Sequence, residues 1–357
     1  SGTIDLTEAQ KGDTKDITVP MFKKPTGTGT VEDPYLISNA SQLRWFASQV
    51  NDNGKNSICA QLTNDIDLNN VEWTPIGKSG YSYQYKGTFD GQGYEIKNLK
   101  IDSTSSNQAL FGYVGADAKL TDLAVTKRQS ENYSISASAP LARINNGTIT
   151  HCWYSGDITA KSTLGGLVYT NNGTIEACYV YAGQLDGGSR IEMYNGGWAG
   201  GIAYENTGTI VNSYFYGDIV QAQSNGTVRD IIGWGAIASK NSDTVSNCYY
   251  GADRDDSYGG KTEDQFRRGE VAYLLNGGTA RDDWRQNCYA GDNSDATPVL
   301  DRSHAQVRKS GDYYVSLYPH VHCICGGGTT SGGHPQHSDV TYTAWTDDEA
   351  ASQYGDS

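Results

Sequence analysis

The chain has 357 residues, 37% of them hydrophobic and 19% charged, with 43 Gly and 25 Tyr. Its 41 acidic and 27 basic side chains leave a net charge of −14, which argues against a nucleic-acid phosphate backbone as a partner. No run of about 18 apolar residues is present to insert into or span a membrane, and two Met with few long apolar runs argue against a helical bundle. At about 150 residues per domain the length predicts about two domains, with a core made from short strands and tight turns. No basic start precedes an apolar run, so any export signal is expected to have been removed already.

Residues 1–30 are polar and mixed in charge and read as a lead-in, with an extended piece around Asp16 to Met21. Asn39-Ala-Ser-Gln42 has the form of a capping box, and Leu43, Phe46, Ala47 and Val50 follow at helical spacing, which predicts a helix from Ala40 to Val50. Ile66, Leu68, Trp73 and Ile76, separated by Asn and Asp, suit short strands and turns.

From Gly87 the chain repeats itself. Asn146-Gly-Thr-Ile-Thr-His-Cys152 returns as Asn172-Gly-Thr-Ile-Glu-Ala-Cys178, as Thr207-Gly-Thr-Ile-Val-Asn-Ser213 and as Ser242-Asp-Thr-Val-Ser-Asn-Cys248. The Thr anchors 148, 174, 209 and 244 are spaced by 26, 35 and 35 residues, and Leu141, Leu167, Ile202 and Ile237 each stand seven residues before theirs. Two strands in fixed relation with variable insertions make one coil of a solenoid. Fainter copies at Glu95–Leu99 and Lys119–Leu123 complete two columns. One holds Ile96, Leu120, Ile149, Ile175, Ile210 and Val245; the other holds Leu99, Leu123, Cys152, Cys178, Ser213 and Cys248. Stacked on parallel strands about 4.8 Å apart, both columns should point inward. Gly147, Gly173 and Gly208 are expected to supply positive φ at the turns. A second capping box, Thr262-Glu-Asp-Gln265, opens a helix through Leu275 that Asn276-Gly-Gly278 stops. The two helices are expected to cover the open ends of the solenoid.

Gly165-Gly-Leu-Val168 followed by Asn172–Cys178, with Gly200-Gly-Ile-Ala203 as its sister, resembles the GLUG repeat of bacterial secreted and cell-surface proteins. Gly87–Gly93 with Ile96-Lys-Asn-Leu99 is similar to the opening coil of such regions. Tyr273–Asn276, Trp284–Gln286 and Pro298–Leu300 are similar to their closing segment. The resemblance spans residues 31–301 and implies an all-β fold, a right-handed parallel β-helix, in a large secreted or cell-wall-attached protein, often of anaerobic gut Firmicutes. It brings no catalytic residue set. Ala139-Pro-Leu141 lacks the Gly pair, and Ser213 stands where sister copies have Cys.

The columns make Cys152, Cys178 and Cys248 a buried thiol stack rather than disulfide partners, since in-register strands aim both Cβ atoms the same way. His320, His322, Cys323, Cys325, His334 and His337 cluster within residues 302–357, a C-terminal joint. Cys323, Cys325, His334 and His337 could hold a structural zinc ion; a flexible Gly/His-rich linker is the other reading. Asp157 and Asp218 recur after Gly and read as turn residues, as does Asp90. The long spacings place insertions at Gly183–Gly196 and Val220–Gly233, which adjacent coils would set side by side. They carry Arg190, Tyr194, Trp198, Arg229 and Trp234, suited to a carbohydrate or host-surface glycan unless the two Trp plug the loops inward. Glu192 and Asp230 are the acid/base pair if the site is catalytic. The sequence thus reads as an extracellular structural, adhesive or glycan-binding solenoid attached to further domains of the same polypeptide. A carbohydrate-active enzyme, hydrolase or lyase, is the alternative, and a filament subunit the third reading.

Overall fold

The computed structural model describes residues 22–80, 82–100, 109–126, 134–135, 139–156, 158–160, 163–182, 190–194, 199–222, 228–230, 235–252, 257–288 and 294–317. The chain is mostly β, with long parallel sheets and few helices. Sheet 1 holds eight strands in the order Tyr35–Ile37, Ala60–Leu62, Thr88–Asp90, Lys119–Thr121, Thr148–Thr150, Thr174–Glu176, Thr209–Val211 and Val245–Ser246. Sheet 2 runs from Ile66–Asp67 through Glu95–Lys97, Ala124–Thr126, Trp153–Ser155 and Tyr179–Ala182 to Tyr214–Ala222. Sheet 3 stacks Phe111–Val114, Ala142–Asn145, Val168–Asn171, Ala203–Asn206 and Ala238–Asn241. From Phe111 onward each pass visits sheet 3, then 1, then 2, and the ladders joining successive passes are parallel. This arrangement fits a parallel β-helix.

The predicted inner column is in register: Leu120, Ile149, Ile175 and Ile210 pair in succession and are 0% exposed. The member before Leu120 is Phe89, not Ile96, and the row continues upstream through Ala60 to Tyr35. Ile96 lies one sheet further on, between Ile66 and Val125, so the Glu95–Leu99 copy belongs to sheet 2 and not to the column of Leu120. That inner row of sheet 2 continues through Tyr154, Val180, Phe215 and Tyr250. The second column is a buried stack of free thiols, Cys152, Cys178 and Cys248, interrupted by the hydroxyl of Ser213. The Cys152 N–H donates to Cys178 Sγ at 3.4 Å and the Cys178 N–H to Ser213 Oγ at 3.0 Å. Burial pushes the Cys178 thiol up to about 12.

The turn glycines serve closeness, not positive φ. Gly147, Gly173 and Gly208 are not in the left-handed region. A Cβ on Gly173 would strike the Gly147 carbonyl oxygen and one on Gly208 the Gly173 carbonyl, because these turns stack backbone on backbone. The left-handed positions fall at the corner three residues after each anchor: Asp122, His151, Ala177, Asn212 and Asn247, with φ between 49° and 52°. For Ala177 and His151 this conformation costs about 1–2 kcal/mol each. Beside the turn glycines runs an amide ladder, from buried Asn145, Asn171 and Asn206 to exposed Asn241, with Nδ2–Oδ1 distances of 2.8, 2.7 and 2.8 Å. Each of the first three amides also donates to the carbonyl of the Gly two residues on. The polar groups that a tight corner buries are thereby satisfied.

Helix α1 (Ala40–Asn51) is capped by Asn39, whose side chain accepts from the Gln42 N–H, and it buries Leu43, Phe46, Ala47 and Val50. Phe46 meets Tyr85 and Phe89 edge-on at 5.9 and 5.7 Å, which closes the first passes. The second predicted helix is two: α2 (Glu263–Arg267), with both halves of its capping box formed, and α3 (Glu270–Leu275). They break at Gly269, whose φ of 88° no helix can contain. Nor do they sit over the end of the winding as expected. Phe266 packs on the outward rings of Tyr214 and Tyr216 at 5.6 and 4.9 Å, so the helices lie on the flank of sheet 2. Those outward tyrosines present apolar rings that only a lateral cover can remove from water. Residues 276–288 and 294–317 continue along this flank and include a hairpin of Gln306–Ser310 with Tyr313–Leu317, whose Val307 joins Trp284 and Phe266 in a second core cluster.

Candidate functional site

Alternate residues of sheet 2 face outward, and in-register parallel strands repeat each about 4.8 Å further along. Ala124, Trp153, Tyr179, Tyr214 and Tyr249 form one outward row. Trp153 and Tyr179 stack at 5.7 Å with 4° between planes, and Tyr179 and Tyr214 at 5.1 Å with 7°. The C-terminal segment covers the later part of this row. Trp284 lies against both tyrosines and donates from Nε1 to the Asn212 carbonyl at 3.1 Å, and the Tyr214 hydroxyl donates to the Pro298 carbonyl at 2.6 Å. The row ends at half-buried Trp153, whose next in-register neighbour is the small Ala124.

A cleft of about 1240 Å³ opens there. Its solenoid wall carries Gln92, Glu95, Asp122, His151, Trp153 and Glu176; the facing wall, from the C-terminal segment, carries Arg281, Asp283, Leu300, Asp301, Arg302 and His304. One charged network ties the walls together. His151 Nδ1 stands 3.5 Å from Asp122 and Nε2 3.3 Å from Asp283, while Arg281 reaches Asp283 and Glu176 at 2.7 Å each. Hydrogen bonds to Asp122 and then Asp283 raise His151 to about 9, and the His151 bond holds Asp283 down to about 2. At Asp122, burial works upward but is outweighed by the bonds from His151 and Thr121, so its carboxyl lies below the usual range. With both nitrogens engaged and a proton on each, His151 is a tie between two walls and not a general base. On the facing wall, His304 Nδ1 lies 2.7 Å from Asp295 and Nε2 3.7 Å from Asp301.

The insertion residues are placed by their backbones. Arg190, Glu192 and Tyr194 belong to the strand Arg190–Tyr194, and Arg229 and Asp230 to Val228–Asp230; both strands flank the distal half of Tyr214–Ala222. The first pairs parallel and the second antiparallel, so Glu192 and Asp230 both face Val220 in one row across three strands. Asp218, expected in a turn, is an exposed strand residue opposite Arg190. Asp90 ends its strand and accepts from the Gln92 N–H at 2.9 Å, as its turn role requires. Trp198, Trp234, Asp157 and the proposed zinc ligands Cys323, Cys325, His334 and His337 lie outside the described residues. Among the described residues no group of three or more His, Cys, Asp or Glu could hold a metal ion.

The aromatic row and the charged tie escaped the sequence reading, and half of each was visible. Trp153, Tyr179, Tyr214 and Tyr249 all stand five residues past their anchors, and Asp122 and His151 share the corner phase. Nothing in the spacing announces that Asp283, 132 residues beyond His151, returns to it.

No family model matches the sequence. Halomucin of Haloquadratum walsbyi is 27% identical over 157 residues, 41% of this chain and 2% of halomucin. A protein of Evansella cellulosilytica named only as a Gly-rich membrane protein is 33% identical over 111 residues, 28% of this chain and 12% of that protein. The chain thus spans a small fraction of the length of these curated relatives. A Bacteroides ovatus crystal structure named for an immunoglobulin A1 protease superposes with a TM-score of 0.48 at 18% identity, over 78% of this chain and 95% of that one; a likeness at this level carries no argument. No helix among the described residues is long and apolar enough to cross a membrane.

Proposed function

We propose that this chain is a right-handed β-helix of the GLUG-like kind that serves as a rigid, glycan-binding module of a larger secreted or wall-attached surface protein. The observation that carries the reading is the cleft at the end of the outward aromatic row, where Trp153 borders fixed carboxylates, the Gln92 amide and two arginines on a scaffold of stacked strands. An indole beside convergent hydrogen-bonding groups is what a sugar ring, apolar on its faces and polar at its rim, requires. Right-handedness follows the strong preference of parallel crossovers. Similarity to two large surface-type proteins supports the location. The zinc knuckle at Cys323, Cys325, His334 and His337 remains part of the proposal on sequence grounds alone, and metal analysis before and after chelation tests it.

The test is a glycan array with the intact chain, Trp153→Ala, and the pair Trp198→Ala and Trp234→Ala. Binding lost with Trp153→Ala supports the cleft, binding lost only with the pair moves the site to the insertions, and no binding by the intact chain refutes the reading. A second reading, a glycan-cleaving enzyme, is favoured by one observation. Glu192 and Asp230 share a row two strand spacings apart, roughly 10 Å between backbones, near the separation of an inverting carboxylate pair. Release of reducing ends that stops in Glu192→Gln and Asp230→Asn would establish it.

A further inference from the structure

The geometry points to the kind of ligand and the groups that grip it: the cleft takes an uncharged pyranose, laid against Trp153 and held at its hydroxyls by His304 and Asp301, with Asp295 fixing the imidazole. The inference rests on the reading of the cleft as a glycan site and adds the chemistry of its second wall.

His304 Nδ1 is 2.7 Å from Asp295 Oδ2. A carboxylate only accepts, so Nδ1 carries the proton and Nε2 is the nitrogen left for the cleft. Asp295 is mostly buried and does not line the cleft, whereas His304 and Asp301 do. Its part is therefore to position the ring, helped by Ser303, whose N–H donates to Asp301 Oδ1 at 2.8 Å and steadies the second acceptor. His304 Nε2 and Asp301 Oδ2, 3.7 Å apart, are two polar positions matched in spacing to neighbouring hydroxyl groups, which both donate and accept. Arg302 makes no hydrogen bond or ion pair among the described residues and lies on the same wall, a donor for the ring or linkage oxygens.

Charge selects the class. Of the cleft's cations, His151 and Arg281 are already spent on Asp122, Asp283 and Glu176. Glu95 is likewise paired, with Lys97 at 3.3 Å, so Arg302 and Asp301 are what remain and no basic cluster is left over, on a chain of net charge −14. A polyanionic glycan would meet repulsion and no free basic cluster. A neutral sugar meets an aromatic surface, the apolar Val299 and Leu300, and a set of acceptors.

The experiment is isothermal titration of the full chain with neutral and with uronate-rich polysaccharides, each at low and at high salt. The variants are Trp153→Ala, His304→Ala, Asp301→Asn and Asp295→Asn, with ¹⁵N spectra of the His304 ring. Neutral polysaccharide should bind with little salt dependence, and Trp153→Ala, His304→Ala and Asp301→Asn should each weaken it by about tenfold. Asp295→Asn should weaken it less and change the His304 tautomer signature, which loss of packing alone would not do. If His304→Ala and Asp301→Asn bind like the parent while Trp153→Ala is weakened, the assignment of this wall falls and the glycan reading of the cleft stands. If Trp153→Ala is also without effect, both fall. Tighter, salt-sensitive binding of the uronate polymer would overturn the uncharged class.

Discussion

Replacing His151 with Gln removes the centre of the tie between the solenoid and its C-terminal wall, and the size of the effect follows from the proton that the tie holds. Asp122 and Asp283 raise His151 from 6.5 to about 9, which is at most about 3 kcal/mol of preference for the charged ring in the folded state. The folded value lies above the unfolded one, so this stabilisation is complete below about pH 6.5 and drains away as the pH climbs through about 9. Asp283 reports the same contact from the acid side: held down to about 2 from 3.8, it contributes above about pH 4 and is lost as the pH falls toward 2. The two shifts describe one network and do not add. Chemical denaturation from pH 5 to pH 10 should show the parent losing about 3 kcal/mol more than His151→Gln over the alkaline limb. Hydrogen exchange should place the loss in residues 281–304 rather than in the inner columns. A variant that follows the parent's pH profile within error would refute the tie.

Gly173→Ala should destabilise by about 1–3 kcal/mol or more, because its Cβ would meet the backbone of Gly147 and Asn146, which cannot turn aside. Gly93→Ala is the control: it has φ of 79° but nothing within 4 Å of the added carbon, and should cost only the left-handed strain, about 1–2 kcal/mol. Equal losses in denaturant midpoint would contradict the close-approach account. Asn171→Ala removes the ladder bonds to Asn145 and Asn206 and the bond to the Thr209 carbonyl, at a cost of about 3 kcal/mol. Thermal melting would show this as a lowered midpoint, and an unchanged one would mean that water replaces the amide.

The inner columns were legible because a parallel stack requires like residues at like phase, and Leu120, Ile149, Ile175 and Ile210 obey that rule without exception. The rule failed at Ile96, where a sheet 2 strand mimics the spacing of a sheet 1 strand and only the register tells them apart. It failed differently at the turns, where one residue type answers two needs. Glycine at 147, 173 and 208 allows backbones to touch, while the positive φ is carried by Asp, His, Ala and Asn. The cleft was half hidden for a third reason. Periodicity reports neighbours along the winding, but Arg281, Asp283 and His304 arrive from a segment outside the repeat, and long-range return of this sort leaves no period.

Both candidate sites hang on the single strand Tyr214–Ala222. Its first half pairs with Tyr179–Ala182 and carries the outward rings that hold the C-terminal wall; its second half pairs with the two insertion strands. Between them stands Gly217, with φ of 147° and a would-be Cβ 2.9 Å from Ala182. An L side chain is disfavoured there on both counts, by conformation and by space. The adjoining pass thereby fixes the backbone at the point where the strand passes from the sheet 2 stack to its pairing with Arg190–Tyr194 and Val228–Asp230. Gly217→Ala should therefore disturb Glu192 and Asp230, which pair beyond it, more than the cleft, whose wall is anchored at Tyr214.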